Sequence, residues 1–228
     1  MNHFSKETLK FLEEVRRRNS KQWYEENKAK YHQVVVEPLK HLVNQLAETM
    51  KEIDPEINTE PRVGRVISRL HRDTRFSKDK SLYKDTVWLN FARRNESKTD
   101  FPSYFFLITP YSFSYGMGFY CATVSTMNDF RELIDKEGAT FGKIIVDLDQ
   151  QALFQLEGEL YKRSKYTGDD EKIRRWYDRK NVYMIYESIG VSELFQEGLI
   201  EELKEGYLSL KPLYEFFLKS IEAKGREL

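Results

Sequence analysis

The stretch SYFFLITPYSFSYGMGFYC, Ser103–Cys121, decides the fold class. Ser103 to Thr109 and Ser112 to Cys121 are rich in aromatic residues, which suit a pleated, half-buried surface, and a polar turn joins them. Upstream, Val63 to Leu70 and Thr86 to Ala92 have the same β-prone character. An antiparallel sheet is therefore expected after Pro55, although its strand order cannot be read from the chain. Gly116 and Gly118 form only part of a GxGxxG and lie inside a strand-like run. A bulge or close backbone approach is expected there, not a dinucleotide cradle.

Helical periodicity lies on either side. From Ser5 to about Arg18, Thr8, Phe11, Leu12 and Val15 share one face, and Ser5 is placed to cap the start. Asn19 and Ser20 break that helix. A second segment carries Trp23, Tyr24, Tyr31, Val34 and Val35, Pro38 should kink or divide it, and Leu39, Leu42, Leu46, Met50 and Ile53 continue the period. Thr126 with Asp129 matches a capping pattern before a helix to about Lys136, with a further helical turn around Phe141 to Ile145. Helix around Glu171 to Asp178, a strand at Val182 to Tyr186, a helix opening at Ser192 and a last one after Pro212 complete the chain. This order, helices then strands then mixed elements then helices, is the α+β pattern. A single domain over residues 1–228 is expected, with a helical arm at 1–54, a sheet-containing core at 62–190 and C-terminal helices at 191–228.

Composition narrows the function classes. The 37 Lys and Arg balance 37 Asp and Glu, which argues against a general polyanion binder with a long-range basic field. Cys121 is the only cysteine, so an internal disulfide and a cysteine-built metal site are excluded, and it is expected to be a small buried apolar residue. There is no apolar run of signal-peptide or membrane-spanning type, so a cytoplasmic protein with no membrane partner is expected. The four histidines, His3, His32, His41 and His71, show no metal-ligand spacing. The pairs Asp147 with Asp149 and Asp169 with Asp170 supply too few oxygens alone for a hard cation. No metal site is expected and no cofactor is indicated.

The charge is uneven along the chain. Residues 62 to 98 hold eleven Lys and Arg against Asp73, Asp79, Asp85 and Glu96, an excess of seven. Arg69, Arg72, Arg75, Lys78, Lys80 and Lys84 fall in the connection between two expected strands, and guanidinium forks there suit phosphate or carboxylate oxygens. The plainer reading is an ion-pair clasp through Asp73, Asp79 and Asp85. His71-Arg72-Asp73 matches the HRD of the protein-kinase catalytic loop, but position 78 is Lys where that loop needs Asn, and no Gly-rich loop or DFG occurs. Phe76, Tyr83, Trp88 and Phe91 interleave with the cations, the mixture of a single-stranded nucleic-acid binder, and at alternate strand positions they would equally be core.

The segment ISRLHRDTRFSKDKSLYKD, Ile67–Asp85, with NSKQWYEENKAKY, Asn19–Tyr31, and FRELIDKEG, Phe130–Gly138, resembles a bacterial family of conserved hypothetical proteins, domain of unknown function 2461. Ser81 and Leu82 stand where proline is usual before the tyrosine, and in the similar stretch ELYKRSKYTGDD, Glu159–Asp170, Tyr166 stands where proline is expected. The resemblance implies fold unity and weight on the signature, and carries no activity. Three expectations follow. The first is an anionic ligand held by Arg69, Arg72, Arg75, Lys78, Lys80 and Lys84, with Lys162 and Arg163 as contributors. The second is an enzyme acting on a phosphoester or nucleotide, with His71 and Asp73 exchanging protons. The third is a structural clasp, with function in a protein partner bound by the helical arm.

Overall fold

The computed structural model describes residues 4–75, 78–93 and 100–222, so Phe76, Arg94, Glu96, Lys98 and His3 lie outside the described residues. The elements are α1 (Lys6–Arg18), α2 (Lys21–Tyr31), a π-helical turn (His32–Val36), α3 (Glu37–Ile53), β1 (Val87–Phe91), β2 (Ser103–Ile108) and β3 (Phe113–Phe119). They continue with α4 (Val124–Lys136), α5 (Gly138–Gln151), β4 (Gln155–Glu157), α6 (Glu171–Tyr177), β5 (Val182–Glu187), α7 (Leu199–Ser209) and α8 (Lys211–Glu222). The sheet is antiparallel, in the order β1-β2-β3-β5-β4, and the fold is α+β. The chain divides into two compact units. One holds Met1–Phe91, Phe105–Tyr115 and Glu187–Lys204; the other holds Ala92–Tyr104, Gly116–Tyr186 and Glu205–Leu228.

In the first unit, α1 buries Phe11, Leu12 and Val15, and α3 buries Leu39, Leu42, Val43, Leu46 and Met50. Each such side chain removed from water contributes about 1.5–3 kcal/mol. The break expected at Pro38 takes a particular form. Proline has no N–H to give the carbonyl four residues back, and the helix widens into the π turn just before it. The buried Thr8 hydroxyl of α1 donates to that carbonyl, Val34 O, at 2.7 Å. The β2–β3 turn is closed by Thr109, whose Oγ1 accepts from the N–H groups of Tyr111 and Ser112 at 3.1 and 2.9 Å.

Val63 to Leu70 is not a continuous strand. Gly64, at φ +86, sits in a tight turn in which its N–H donates to Ile67 O at 2.7 Å. Residues beyond that turn pair with β1, Ser68 N donating to Trp88 O at 2.9 Å and Asn90 N to Val66 O at 2.8 Å.

In the second unit, rings dominate the interior: Phe130 packs on Phe141 and Phe217, and Phe141 on Trp176. The cap of α4 is Thr123, whose hydroxyl accepts from Thr126 N at 3.1 Å, so the helix starts earlier than the Thr126–Asp129 pattern suggests. The Thr126 hydroxyl donates to Asp100 at 2.9 Å. Helix α5 is longer than the turn expected around Phe141 to Ile145, and β4 has no counterpart among the expected strands. Gly116 and Gly118 are sites of close approach: a Cβ would meet Met184 O at 1.9 Å at the first and Val182 O at 2.4 Å at the second. Cys121, expected to be buried, is exposed in the turn after β3. Among the described residues no helix is long and apolar enough to cross a membrane.

Candidate functional site: the cationic loop between residues 68 and 85

The loop is a pinched excursion from the edge of β1. Its arms pair at His71 and Tyr83, where Arg72 N donates to Leu82 O and Lys84 N to Leu70 O, both at 2.9 Å. Leu70 and Tyr83 are buried and anchor the base. The helical arm of the same unit grips it. Asn19, at the end of α1, donates from Nδ2 to Tyr83 O at 2.9 Å and accepts from Tyr83 N at 3.1 Å on Oδ1. Tyr24 of α2 stacks on Tyr83, ring centroids 4.8 Å apart, and the His71 imidazole packs against both rings at 5.5 and 4.7 Å.

Beyond the base the described residues of the loop are tied together by their own polar groups. Asp73 accepts from Arg75 N at 3.2 Å and Asp79 from Ser81 N at 2.9 Å, so each carboxylate closes an Asx turn. Asp73 also holds the Arg75 guanidinium in a two-bond fork, Nε at 3.0 Å and Nη2 at 2.7 Å. Those side-chain bonds, then the backbone one, lower the Asp73 carboxyl from an ordinary 3.8 to about 2. Asp79 is likewise held below the usual range, first by the Ser81 N–H and then by its hydroxyl. It meets Arg72 Nη2 at 3.0 Å, while Arg72 Nε donates to Ser81 Oγ at 3.0 Å. Ser81 is thus an acceptor for Arg72 and a donor to Asp79.

The remaining cations are placed differently. The Lys80 ammonium donates to Thr74 O at 2.8 Å, and Lys84 lies 3.8 Å over the Trp88 ring. Arg69 and Lys78 are exposed and form no ion pair with any described residue. The Arg69 guanidinium lies over the open face of Gly64, where a Cβ would come 3.0 Å from Nε. Asp85 faces Arg16 of α1 at 3.9 Å. The first unit therefore contains all six cations of the sequence signature. Lys162 and Arg163, expected to contribute, are exposed residues of the other unit.

The ion pairs lie at the surface: the Asp73 and Asp79 side chains are 56% and 55% exposed and Arg75 is 77% exposed, with only Arg72 lower at 24%. Pairs of this kind are screened by water and contribute little to stability. The Asn19 clamp and the ring stack, which sequence spacing did not reveal, hold the base; their only trace in the chain was the Asn19–Tyr31 segment of the resemblance. The aromatic residues read as stacking candidates divide: Tyr83 and Phe91 are buried, and Trp88 is half-buried beneath Lys84. His71 forms no hydrogen bond with a described residue.

The other polar features resolve as structural parts. Asp170 caps α6, accepting from Lys172 N and Ile173 N at 2.8 and 3.3 Å, and Asp149 pairs with Arg175. Among the described residues no group of three His, Cys, Asp or Glu is placed to hold a metal ion.

An α+β protein with a cationic loop at the edge of its sheet is thereby defined. The chain belongs to the family described as conserved hypothetical protein (DUF2461), which matches residues 7–216 and so takes in the arm, the loop and the sheet. Comparison with curated proteins and with solved structures gave no match.

Proposed function

We propose that the loop from Ser68 to Asp85 binds a small anionic ligand, of which phosphate-bearing molecules are the best-fitting class. One observation carries this reading. Asp73 and Asp79 are engaged with Arg75 and Arg72 and with backbone turns and Asp85 faces Arg16, while Arg69 and Lys78 stay exposed without a carboxylate partner among the described residues. Positive charge is thus in excess on a loop whose described residues are tied by Asx turns and a paired base, which lowers the ordering cost of meeting an anion. The weak, exposed ion pairs favour this over a purely structural clasp, which would need buried pairs to repay six cations. Proton exchange between His71 and Asp73 is less well supported. Asp73 at about 2 stays ionised near neutrality and is occupied by Arg75, so it is a weak base.

The test is thermal unfolding of wild type and of the Arg69→Ala/Lys78→Ala double variant against phosphate, sugar phosphates, nucleotides and simple carboxylates. Binding to the native state raises the midpoint by mass action. The expected result is a rise in wild type with a phosphate-bearing compound, its loss in the double variant, and equal midpoints without ligand. A lower unliganded midpoint in the variant, with no ligand response in either protein, would contradict the reading and favour the clasp.

A further inference from the structure

A cavity lies wholly within the second unit, about 330 Å³ in volume and lined by Asn128, Arg131, Glu132, Asp135, Lys165 and Tyr177. Its unusual member is Arg131, only 4% exposed. The guanidinium donates from Nε to Tyr177 O at 2.8 Å, from Nη1 to Asn128 Oδ1 at 3.0 Å and from Nη2 to Arg179 O at 2.6 Å. It forms no ion pair with a described residue. Buried charges are normally matched by an opposite charge, and two of the five guanidinium N–H groups have no partner among the described residues. Lys165 adds a second cation, its ammonium 4.1 Å over the Tyr161 ring, which the Arg131 guanidinium also overlies at 5.3 Å.

Carboxylates stand beside these cations, Asp135 lying one turn further along α4 than Arg131. Asp135 accepts from the Tyr177 hydroxyl on Oδ2 at 2.9 Å, and its Oδ1 has no partner among the described residues. Burial, then the bond to Asp135, pushes Tyr177 up to about 12, so the phenol remains a donor. A polyanion would be drawn to Arg131 and Lys165 but repelled by Asp135. A molecule with one carboxylate and one ammonium matches both the cations and the carboxylate.

We infer that this cavity binds a small zwitterion of the α-amino-acid type, its carboxylate on Arg131 and Lys165 and its ammonium on Asp135. The site is separate from the cationic loop and does not depend on the function proposed there.

Calorimetric titration of the full chain with a panel of L-α-amino acids, each beside its des-amino carboxylate, with inorganic phosphate as a further probe, tests this. The expected result is saturable binding of at least one amino acid, about tenfold or more tighter than its des-amino partner, as charge-assisted hydrogen bonds require. Asp135→Asn, which keeps an acceptor for Tyr177, should bring the two affinities together, and Lys165→Ala should weaken both. Neither residue is buried, so both variants are expected to fold. No binding by any amino acid, equal affinity of the des-amino acid in wild type, preference for phosphate, or an unchanged ratio in Asp135→Asn would each overturn the assignment.

Discussion

Asn19 ends α1 at φ 24, ψ 46, a backbone region that asparagine tolerates better than most residues, and returns its side-chain amide to both backbone groups of Tyr83. Asn19→Ala removes both bonds and leaves alanine at a positive φ. A loss of about 1–3 kcal/mol in chemical denaturation is expected, with faster hydrogen exchange at Tyr83 N–H. Unchanged exchange there would mean that the loop is not held from the arm. Asp73 gives a second prediction. Its folded pKa is depressed, so the stabilisation from its pair with Arg75 is fully present above the ordinary 3.8 and disappears as pH falls through about 2. NMR titration of the carboxyl carbon should place its midpoint near 2, moving towards 3.8 in Arg75→Ala. A midpoint near neutrality would instead revive the proton-transfer reading. The cations of this loop were legible because charge can be counted along one dimension. The Asn19 clamp was not, because its partner is 64 positions away and a polar residue at a helix end has many local explanations.

At the scale of elements, amphipathic helices were the most readable parts: α1 and α3 bury the periodic residues that the sequence marks. The segment from Val63 to Leu70 misled because its β-prone residues do not show that Gly64 turns the chain at a positive φ before pairing can extend. Strand β4 was missed for a related reason: Gln155–Glu157 is short and mostly exposed, so it has little hydrophobic alternation to read. Two substitutions probe how elements meet. Gly116→Ala puts a methyl 1.9 Å from Met184 O, and because backbone must move, a loss of about 1–3 kcal/mol is expected in thermal or denaturant unfolding. Wild-type stability would contradict this close approach. Thr8→Val keeps the volume but removes the donor to Val34 O, and about 1–3 kcal/mol should be lost by leaving that carbonyl without it. No loss would show that the π turn does not need α1.

Across the whole molecule, 37 positive and 37 negative residues cancel, so long-range steering is weak and recognition of an anion rests on local placement. Residues 62 to 98 carry the excess and the rest of the chain its counterweight. A neutral chain with a local cationic loop should bind a small anion with modest salt dependence, unlike a nucleic-acid binder, whose affinity falls steeply as counterions are released. The most direct measurement is backbone and guanidinium NMR of the full chain titrated with inorganic phosphate and then with the phosphate-bearing compound that raises the unfolding midpoint most. The account predicts saturable shifts at Thr74, Arg75, Lys80 and Ser81 amides and at Arg69 Nε, absent in the Arg69→Ala/Lys78→Ala protein. Saturation of the ligand with those resonances unmoved, or the same shifts in the double variant, would contradict it.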